Sequence, residues 1–268
     1  MTAIAGFQCP DGILLCADSE ETLSSDSKSQ ARKIKFLSLG SIRVLIGDAG
    51  TSSLIEYSTQ ELIKRLINKN WNWDSIEVEL QHHAKQIFRE NIRPYAVYPR
   101  DDRPEIQSLI AVQTDQECRL FKWTNNFVME VPRHSHTSIG FGIIQSERLI
   151  TAYSFYLPFE QMLFFAVRIM KEVKETVRDC GGNTEVRVLR NDGTSILYST
   201  KDIHEVEYLS QGIDDVFSEH VLTFICNPAD LSETATNQQL KMISDVVASF
   251  RRNYKSLPIL LGNLFHET

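Results

Sequence analysis

Several features are missing from this sequence, and their absence excludes some classes of protein. No stretch approaches the roughly 18 consecutive apolar residues that a membrane-spanning helix needs, and the most apolar one, residues 157–170, is interrupted by Pro158 and Arg168. Basic runs are missing too, and 28 Lys and Arg against 35 Asp and Glu give a net charge of −7. We therefore expect no nucleic-acid partner and no anionic membrane partner, because either would require a basic face.

Cysteine and targeting patterns are equally sparse. The five cysteines are widely spaced and form no CxxC pair, so we expect no metal site and no cofactor. The first residues, Met1-Thr2-Ala3-Ile4-Ala5, contain no positive charge and no long apolar run. These absences predict a cytoplasmic protein without a signal peptide.

The 268 residues are 42% hydrophobic and 24% charged, which is typical of a globular chain. Apolar periodicity and turn residues predict two β blocks, each followed by a helix pair. Strands are expected at 3–7, 12–18, 33–37, 42–47, 108–113, 118–123, 127–131 and 137–140, with later ones at 185–190, 195–199 and 221–226. Helices are expected at about 54–67, 76–88, 144–156, 159–178 and 231–252. The Ser-rich residues 19–32 are predicted to be a loop. This order indicates an α+β fold, a four-layer αββα sandwich of two antiparallel sheets between helical layers. We expect a single domain over residues 1–268, in which residues from about 201 are a C-terminal extension of uncertain role.

Thr2 is the first candidate for chemistry. Removal of Met1 before a small residue would make Thr2 the first residue of the mature chain. A terminal threonine carries a hydroxyl nucleophile beside an α-amine, whose ordinary pKa of about 7.7–8 allows it to accept the hydroxyl proton. The alternative is an ordinary processed, disordered terminus. A strand predicted to begin at once favours a terminus held inside the fold.

Asp18 and Lys33 are the second candidates, since one ends a predicted strand and the other begins the next. A lysine ammonium beside Thr2 would stabilise its deprotonated hydroxyl, and a carboxylate would keep that lysine charged and oriented. The alternative for any Asp–Lys pair is a surface salt bridge.

The first fifty residues resemble the start of the proteasome β-subunit and of its bacterial relative HslV, peptidase T1-like members of the N-terminal-nucleophile hydrolases. The six matching positions are Thr2, Asp11-Gly12, Asp18-Ser19, Thr22, Lys33-Ile34 and Ala49-Gly50. The resemblance implies the N-terminal-nucleophile hydrolase fold and names Thr2 as nucleophile, with its own α-amine as base. It makes Asp18 and Lys33 the partners of Thr2, Gly50 the oxyanion-binding N–H, and Asp179 a carboxylate near the terminal amine.

Substrate contacts follow from the same resemblance. It implies that Thr22 contacts an extended substrate strand through its backbone and that Ser52 also binds substrate. Asp48 would line the pocket for the side chain before the scissile bond and favour a basic one, or else cap the next helix. The chain departs from the family pattern where Gly140-Phe141-Gly142 and Asp179-Cys180-Gly181-Gly182 lack the expected serines, and where Glu20 replaces an arginine.

The resulting hypothesis is a threonine-type peptidase or amidase that works through an acyl-enzyme. Two alternatives stay open: a peptide acyl-transferase or ligase of the same fold, and a non-catalytic proteasome-like scaffold subunit. The expected partners are a peptide or protein substrate, further copies of the chain in a homo-oligomer such as a ring, and an ATP-dependent unfoldase.

Overall fold

The computed structural model describes residues 2–24, 27–67, 71–99, 103–114, 117–140, 157–216 and 233–255. The described residues divide into two compact units, one that ends at Leu197 and one that begins at Tyr198. A single domain with an extension from about residue 201 remains a prediction. Among the helices in these described ranges, none is long and apolar enough to cross a membrane.

Twelve strands in the described residues form three antiparallel sheets. They are β1 (Ala3–Cys9), β2 (Gly12–Asp18), β3 (Glu20–Ser24), β4 (Ser27–Gln30), β5 (Ile34–Leu39), β6 (Ile42–Gly50), β7 (Ile106–Thr114), β8 (Glu117–Thr124), β9 (Phe127–Glu130), β10 (His136–Gly140), β11 (Thr184–Arg190) and β12 (Ser195–Leu197). The first sheet has the order β10-β1-β2-β11-β12, the second sheet has the order β5-β6-β7-β8-β9, and the small sheet is the pair β3-β4.

Both faces of the first sheet are covered. Every residue of β1 and β2 is buried, as expected for strands packed on two sides. On one side, a Cβ added to Gly6 would lie 3.0 Å from Leu120 and 3.1 Å from Leu109, both in the second sheet. The absence of a side chain at Gly6 therefore lets the two five-stranded sheets approach each other closely, over a shared apolar core.

Five α-helices accompany the sheets in the described residues. They are α1 (Ser52–Leu66), α2 (Trp73–Ile87), α3 (Phe159–Thr176), α4 (Thr200–Val216) and α5 (Glu233–Lys255). In the first unit, α1 and α2 bury leucines such as Leu62 and Leu80 against the second sheet, while α3 packs on β1, β2 and β11. Asn72 begins α2 with a capping box to Ser75, which satisfies N–H groups that the helix leaves unpaired. In the second unit, α4 contacts α5.

The predicted four-layer αββα sandwich of two antiparallel sheets is wrong. The described residues form three sheets, of five, two and five strands, and two of the five helices belong to the second unit. The extra sheet arises from the segment predicted as a loop, residues 19–32. Its mostly polar composition gives no apolar alternation, and a bond to a distant segment, Glu20 N to Gly181 O at 3.1 Å, helps to hold it in place. The predicted helix at 144–156 and strand at 221–226 lie outside the described residues.

Candidate active site

The N-terminal strand begins beside a buried ion pair. The Ala3 amide donates to Asp18 Oδ1 at 2.8 Å, and Lys33 Nζ donates to the same oxygen at 2.9 Å. Asp18 is 0% exposed and Lys33 8%. Because Ala3 directly follows Thr2, Thr2 lies within one peptide unit of the Asp18–Lys33 pair. The structure thus brings three of the predicted catalytic residues together.

Strand ends explain this meeting. Asp18 is the last residue of β2, and Lys33 immediately precedes β5. The Lys33 ammonium also donates to the Glu20 carbonyl oxygen at 2.6 Å. A charge-assisted bond to a carboxylate and a second bond to a carbonyl fix the ammonium in place. The pair is therefore not a surface salt bridge, since removing either partner would leave a charge unpaired in the interior.

Asp18 and Ser19 also hold the segment that contains Asp179. Gly181 N donates to Asp18 Oδ2 at 3.2 Å, and Asn183 N donates to Ser19 Oγ at 2.8 Å. Asp179 is half-buried two residues before Gly181. It therefore lies on a segment tied to the ion pair, while its predicted role near the terminal amine remains untested.

Gly140 flanks Thr2 on the other side. Gly140 pairs with Ala3 across β10 and β1, at a φ of +87°, and a Cβ there would collide with the Thr2 carbonyl oxygen. Its amide donates to Gln107 Oε1 at 3.1 Å. Gly140 thus leaves room for Thr2, and the Gln107 side chain on β7 holds the glycine in place.

Gly50 ends β6 in the same neighbourhood. The Ala49 side chain would lie 3.4 Å from a Cβ on Gly140, so the end of β6 approaches the strand end that flanks Thr2. Gly50 has a φ of +136°, and a Cβ there would collide with the Glu105 carbonyl oxygen. Only glycine fits this backbone. The role of its N–H as oxyanion donor stays a prediction.

Asp48 lies under helix α1 and does not cap it. The N-cap residue of α1 is Thr51. Asp48 is 7% exposed, and its Oδ1 accepts a bond from Ser108 Oγ at 2.6 Å. Lys35 Nζ is 3.9 Å from the other carboxylate oxygen. Burial raises the pKa of Asp48 to about 6, although the Ser108 and Lys35 contacts lower it.

The raised pKa of Asp48 predicts a pH-dependent loss of stability. The ordinary value is 3.8, so the folded state binds the proton more tightly than the unfolded state. The stabilisation is therefore full below pH 3.8 and is lost as the pH rises through about 6. We expect this group to cost the parent up to roughly 3 kcal/mol of stability between pH 4 and pH 8, and Asp48→Asn, which keeps an acceptor for Ser108, to lack this loss. Urea unfolding of both proteins at pH 4 and pH 8 measures this difference. A stability difference between the two proteins that is the same at both pH values would contradict the prediction.

The remaining substrate candidates lie on the small sheet and at the start of α1. Thr22 is on β3, where its backbone pairs with Lys28 on β4. Ser52 is the exposed first residue of α1, and its hydroxyl donates to Glu21 Oε1 at 2.9 Å. This bond links the small sheet to α1. Substrate contacts at Thr22 and Ser52 remain predictions.

Two side chains of this region could not be identified from the sequence. Gln107 gives no sequence signal, because a glutamine in a strand normally indicates only a polar face. Glu185 on β11 accepts bonds from the Lys33 and Ile34 amides through Oε2, at 2.9 and 3.3 Å. Its position 152 residues from Lys33 in the chain hides the contact from any local pattern.

Comparison with known proteins places the chain near one group of solved structures. Neither a protein-family model nor a curated protein matches the sequence. Anbu from Yersinia bercovieri, described as an ancestral beta-subunit, is 15% identical with a TM-score of 0.66, over 87% of this chain and 100% of that one. A Gly-1 mutant of Anbu from Hyphomicrobium sp. strain MC1 is 11% identical with a TM-score of 0.65, over 81% of this chain and 97% of that one. Anbu from Pseudomonas aeruginosa, solved as a helical assembly, is 12% identical with a TM-score of 0.63, over 82% and 96%.

These neighbours correct the family suggested by the sequence. The resemblance to the proteasome β-subunit and HslV, peptidase T1-like, is wrong as an assignment, because the similar structures are Anbu, which is proteasome-related but a distinct family. The six matching positions lie in and beside three hairpins within the first fifty residues, so they test the resemblance over only the start of the chain. At 11–15% identity the likeness establishes a proteasome-like fold and nothing about activity.

Proposed function

We propose that this chain is a threonine-type amidase or peptidase whose nucleophile is Thr2 after removal of Met1. One observation carries the proposal: the amide next to Thr2 and the Lys33 ammonium bind the same buried oxygen of Asp18. Burial of two charges costs roughly several kcal/mol per ion before their attraction is counted. An ion pair buried beside Thr2 therefore favours a chemical role over a purely structural one.

In the proposed reaction, the Thr2 hydroxyl loses its proton to the α-amine of the same residue and attacks the carbonyl carbon of an amide. The positive charge of Lys33 favours the ionised hydroxyl. The Gly50 N–H is the proposed donor to the oxyanion, where one placed donor is worth about 3–4 kcal/mol. The amine of the substrate then leaves with a proton, and water hydrolyses the Thr2 ester to release the acid and restore the hydroxyl.

The proposed substrate is an extended peptide or protein segment. The backbone of Thr22 on β3 would pair with it, as an added strand does in other peptide-binding sites, with Ser52 beside it. Asp48 would favour a basic side chain before the scissile bond, although Lys35 at 3.9 Å already offsets part of its charge. An amine from a second peptide in place of water would turn the same acyl-enzyme into a transferase.

A second candidate is a non-catalytic scaffold subunit of a proteasome-like assembly. The comparisons support this candidate better than they support catalysis, since the likeness is one of fold and one neighbour was solved as a helical assembly. Homo-oligomer formation is common to both candidates. An unfoldase partner and a cytoplasmic location remain proposals from the sequence alone.

Retention of Met1 separates the two candidates. A protein that keeps Met1 has no α-amine on Thr2, so we expect its turnover of fluorogenic peptide amides to fall to background. The scaffold candidate predicts no turnover with or without Met1, and an unchanged oligomer by light scattering in both. Terminal sequencing by mass spectrometry provides the control for removal of Met1. Equal turnover by the two forms would contradict the proposed base.

A further inference from the structure

One half-buried carboxylate beside the site takes no part in the proposed chemistry. Glu185 Oε2 accepts bonds from two consecutive amides, Lys33 at 2.9 Å and Ile34 at 3.3 Å. Its other oxygen, Oε1, is buried without a hydrogen-bond partner. Burial raises the pKa of Glu185, although the two backbone bonds lower it. A carboxylate oxygen that is buried without a hydrogen-bond partner calls for a structural or functional explanation.

The register of the sheet shows what Glu185 and Asp18 have in common. Thr184 pairs with Asp18 across β11 and β2, and Glu185 pairs with Ala17. The two carboxylates therefore stand one position apart on neighbouring strands of the first sheet. Asp18 binds the side chain of Lys33, and Glu185 binds its backbone. Together they hold both ends of Lys33, and the chain enters the second sheet directly after this residue.

We infer that Glu185 is a positioning residue, which fixes the backbone of Lys33 so that the ammonium reaches Asp18 beside Thr2. This inference rests on the proposed role of Lys33 in the reaction. A lysine side chain has four rotatable bonds, so its ammonium can be placed reproducibly only if its backbone is fixed. The two amides are held by one oxygen from the opposite sheet, which makes the lysine position depend on the spacing of the two sheets.

A purely structural role is the competing explanation. Carboxylates that accept backbone bonds also stabilise strand ends and turns, and Asp192 does so in the β11–β12 turn, where its Oδ1 accepts the Thr194 amide at 2.8 Å. Asp192 is therefore the matched control, since it lies on the same strand pair without contact to Lys33. A structural role for Glu185 would change stability alone.

The experiment measures inactivation by a peptide epoxyketone, followed by intact mass, on the mature full-length chain. We expect Glu185→Ala to lower the maximal inactivation rate by about 100-fold while the half-saturating concentration is unchanged. Glu185→Gln should stay within a few-fold of the parent, because an amide oxygen at the Oε2 position still accepts both N–H groups. Asp192→Ala should behave as the parent. If Glu185→Ala does not fold, Glu185→Asp takes its place, with a smaller loss because the shorter carboxylate reaches less far.

Two readouts keep this inference separate from the proposed function. Hydrogen exchange of the Lys33 and Ile34 amides, and the NMR shift of Lys33 Nζ, require no activity. We expect both to change in Glu185→Ala and to be retained in Glu185→Gln. If the parent forms no adduct, the proposed function fails, and the NMR readouts alone decide on Glu185. A parent-like rate and parent-like Lys33 signals in Glu185→Ala would overturn the inference, and a loss in Glu185→Gln equal to that in Glu185→Ala would replace positioning with a requirement for charge.

Discussion

Lys33→Met is expected both to slow the reaction of Thr2 strongly and to destabilise the protein. The substitution keeps the length of the side chain but removes the ammonium, which leaves Asp18 as an unpaired charge that is 0% exposed. Breaking a buried pair by removal of one partner costs about 3–5 kcal/mol. The loss of charge stabilisation at Thr2 should slow epoxyketone inactivation by a further factor of about 100–1,000.

Denaturant unfolding and inactivation kinetics measure the two effects separately. Lys64→Met is the matched control, because Lys64 forms an exposed ion pair with Glu61 at 2.6 Å, and exposed pairs contribute little. We expect it to match the parent in both assays. A stable and fully reactive Lys33→Met protein would show that the buried pair serves neither folding nor chemistry.

Gly140→Ala is expected to displace the terminal residue. A Cβ at this position would collide with the Thr2 carbonyl oxygen, and its φ of +87° is unfavourable for alanine. The strain of such a backbone alone costs of order 1–3 kcal/mol, and the collision adds to it. Because Thr2 must move, we expect loss of adduct formation in a protein that still folds.

The control for Gly140 is Gly40→Ala. Gly40 also has a positive φ, +66°, but a Cβ there would meet nothing within 4 Å. It should therefore lose stability through backbone strain while it keeps full reactivity. Equal reactivity in the Gly140 and Gly40 variants, measured by intact mass, would mean that Gly140 does not set the position of Thr2.

The parts of the fold that the sequence revealed are those with a regular apolar pattern. Residues 12–18 were predicted as a strand and form β2 with the same bounds, because a continuous apolar run between turn residues has few other solutions. Helix α2 likewise follows its apolar spacing from Ile76 to Ile87. The local apolar pattern was sufficient to predict an element wherever burial of one face, or of the whole strand, determined its structure.

The failures have a different physical origin. The pair β3-β4 lies in a mostly polar segment, and a bond to a distant segment, Glu20 N to Gly181 O at 3.1 Å, ties it to the rest of the fold. Helix α4 was missed although its cap is present in the sequence, since the Asp202 amide donates to the Ser199 hydroxyl oxygen at 3.2 Å where the helix begins. In the site, the pairing of Asp18 with Lys33 could be predicted from strand ends, whereas Glu185 and Gln107 act across long separations in the chain. The layer count and the family depend on such distant contacts, and both were predicted wrongly.

The central claim is that Thr2 is a nucleophile, and covalent labelling tests it most directly. The mature parent and Thr2→Ala would each be incubated with a peptide epoxyketone or a β-lactone and weighed intact. Adducts on the four cysteines in the described part of the chain would not confuse the result, because burial raises their pKa values, that of Cys16 to about 12 and that of Cys180 to about 11, and neutral buried thiols react poorly. The Thr2→Ala protein controls for labelling of Cys226. We predict one adduct on the parent and none on Thr2→Ala. No adduct on a parent whose Met1 is shown to be absent, or an equal adduct on both proteins, would contradict the claim.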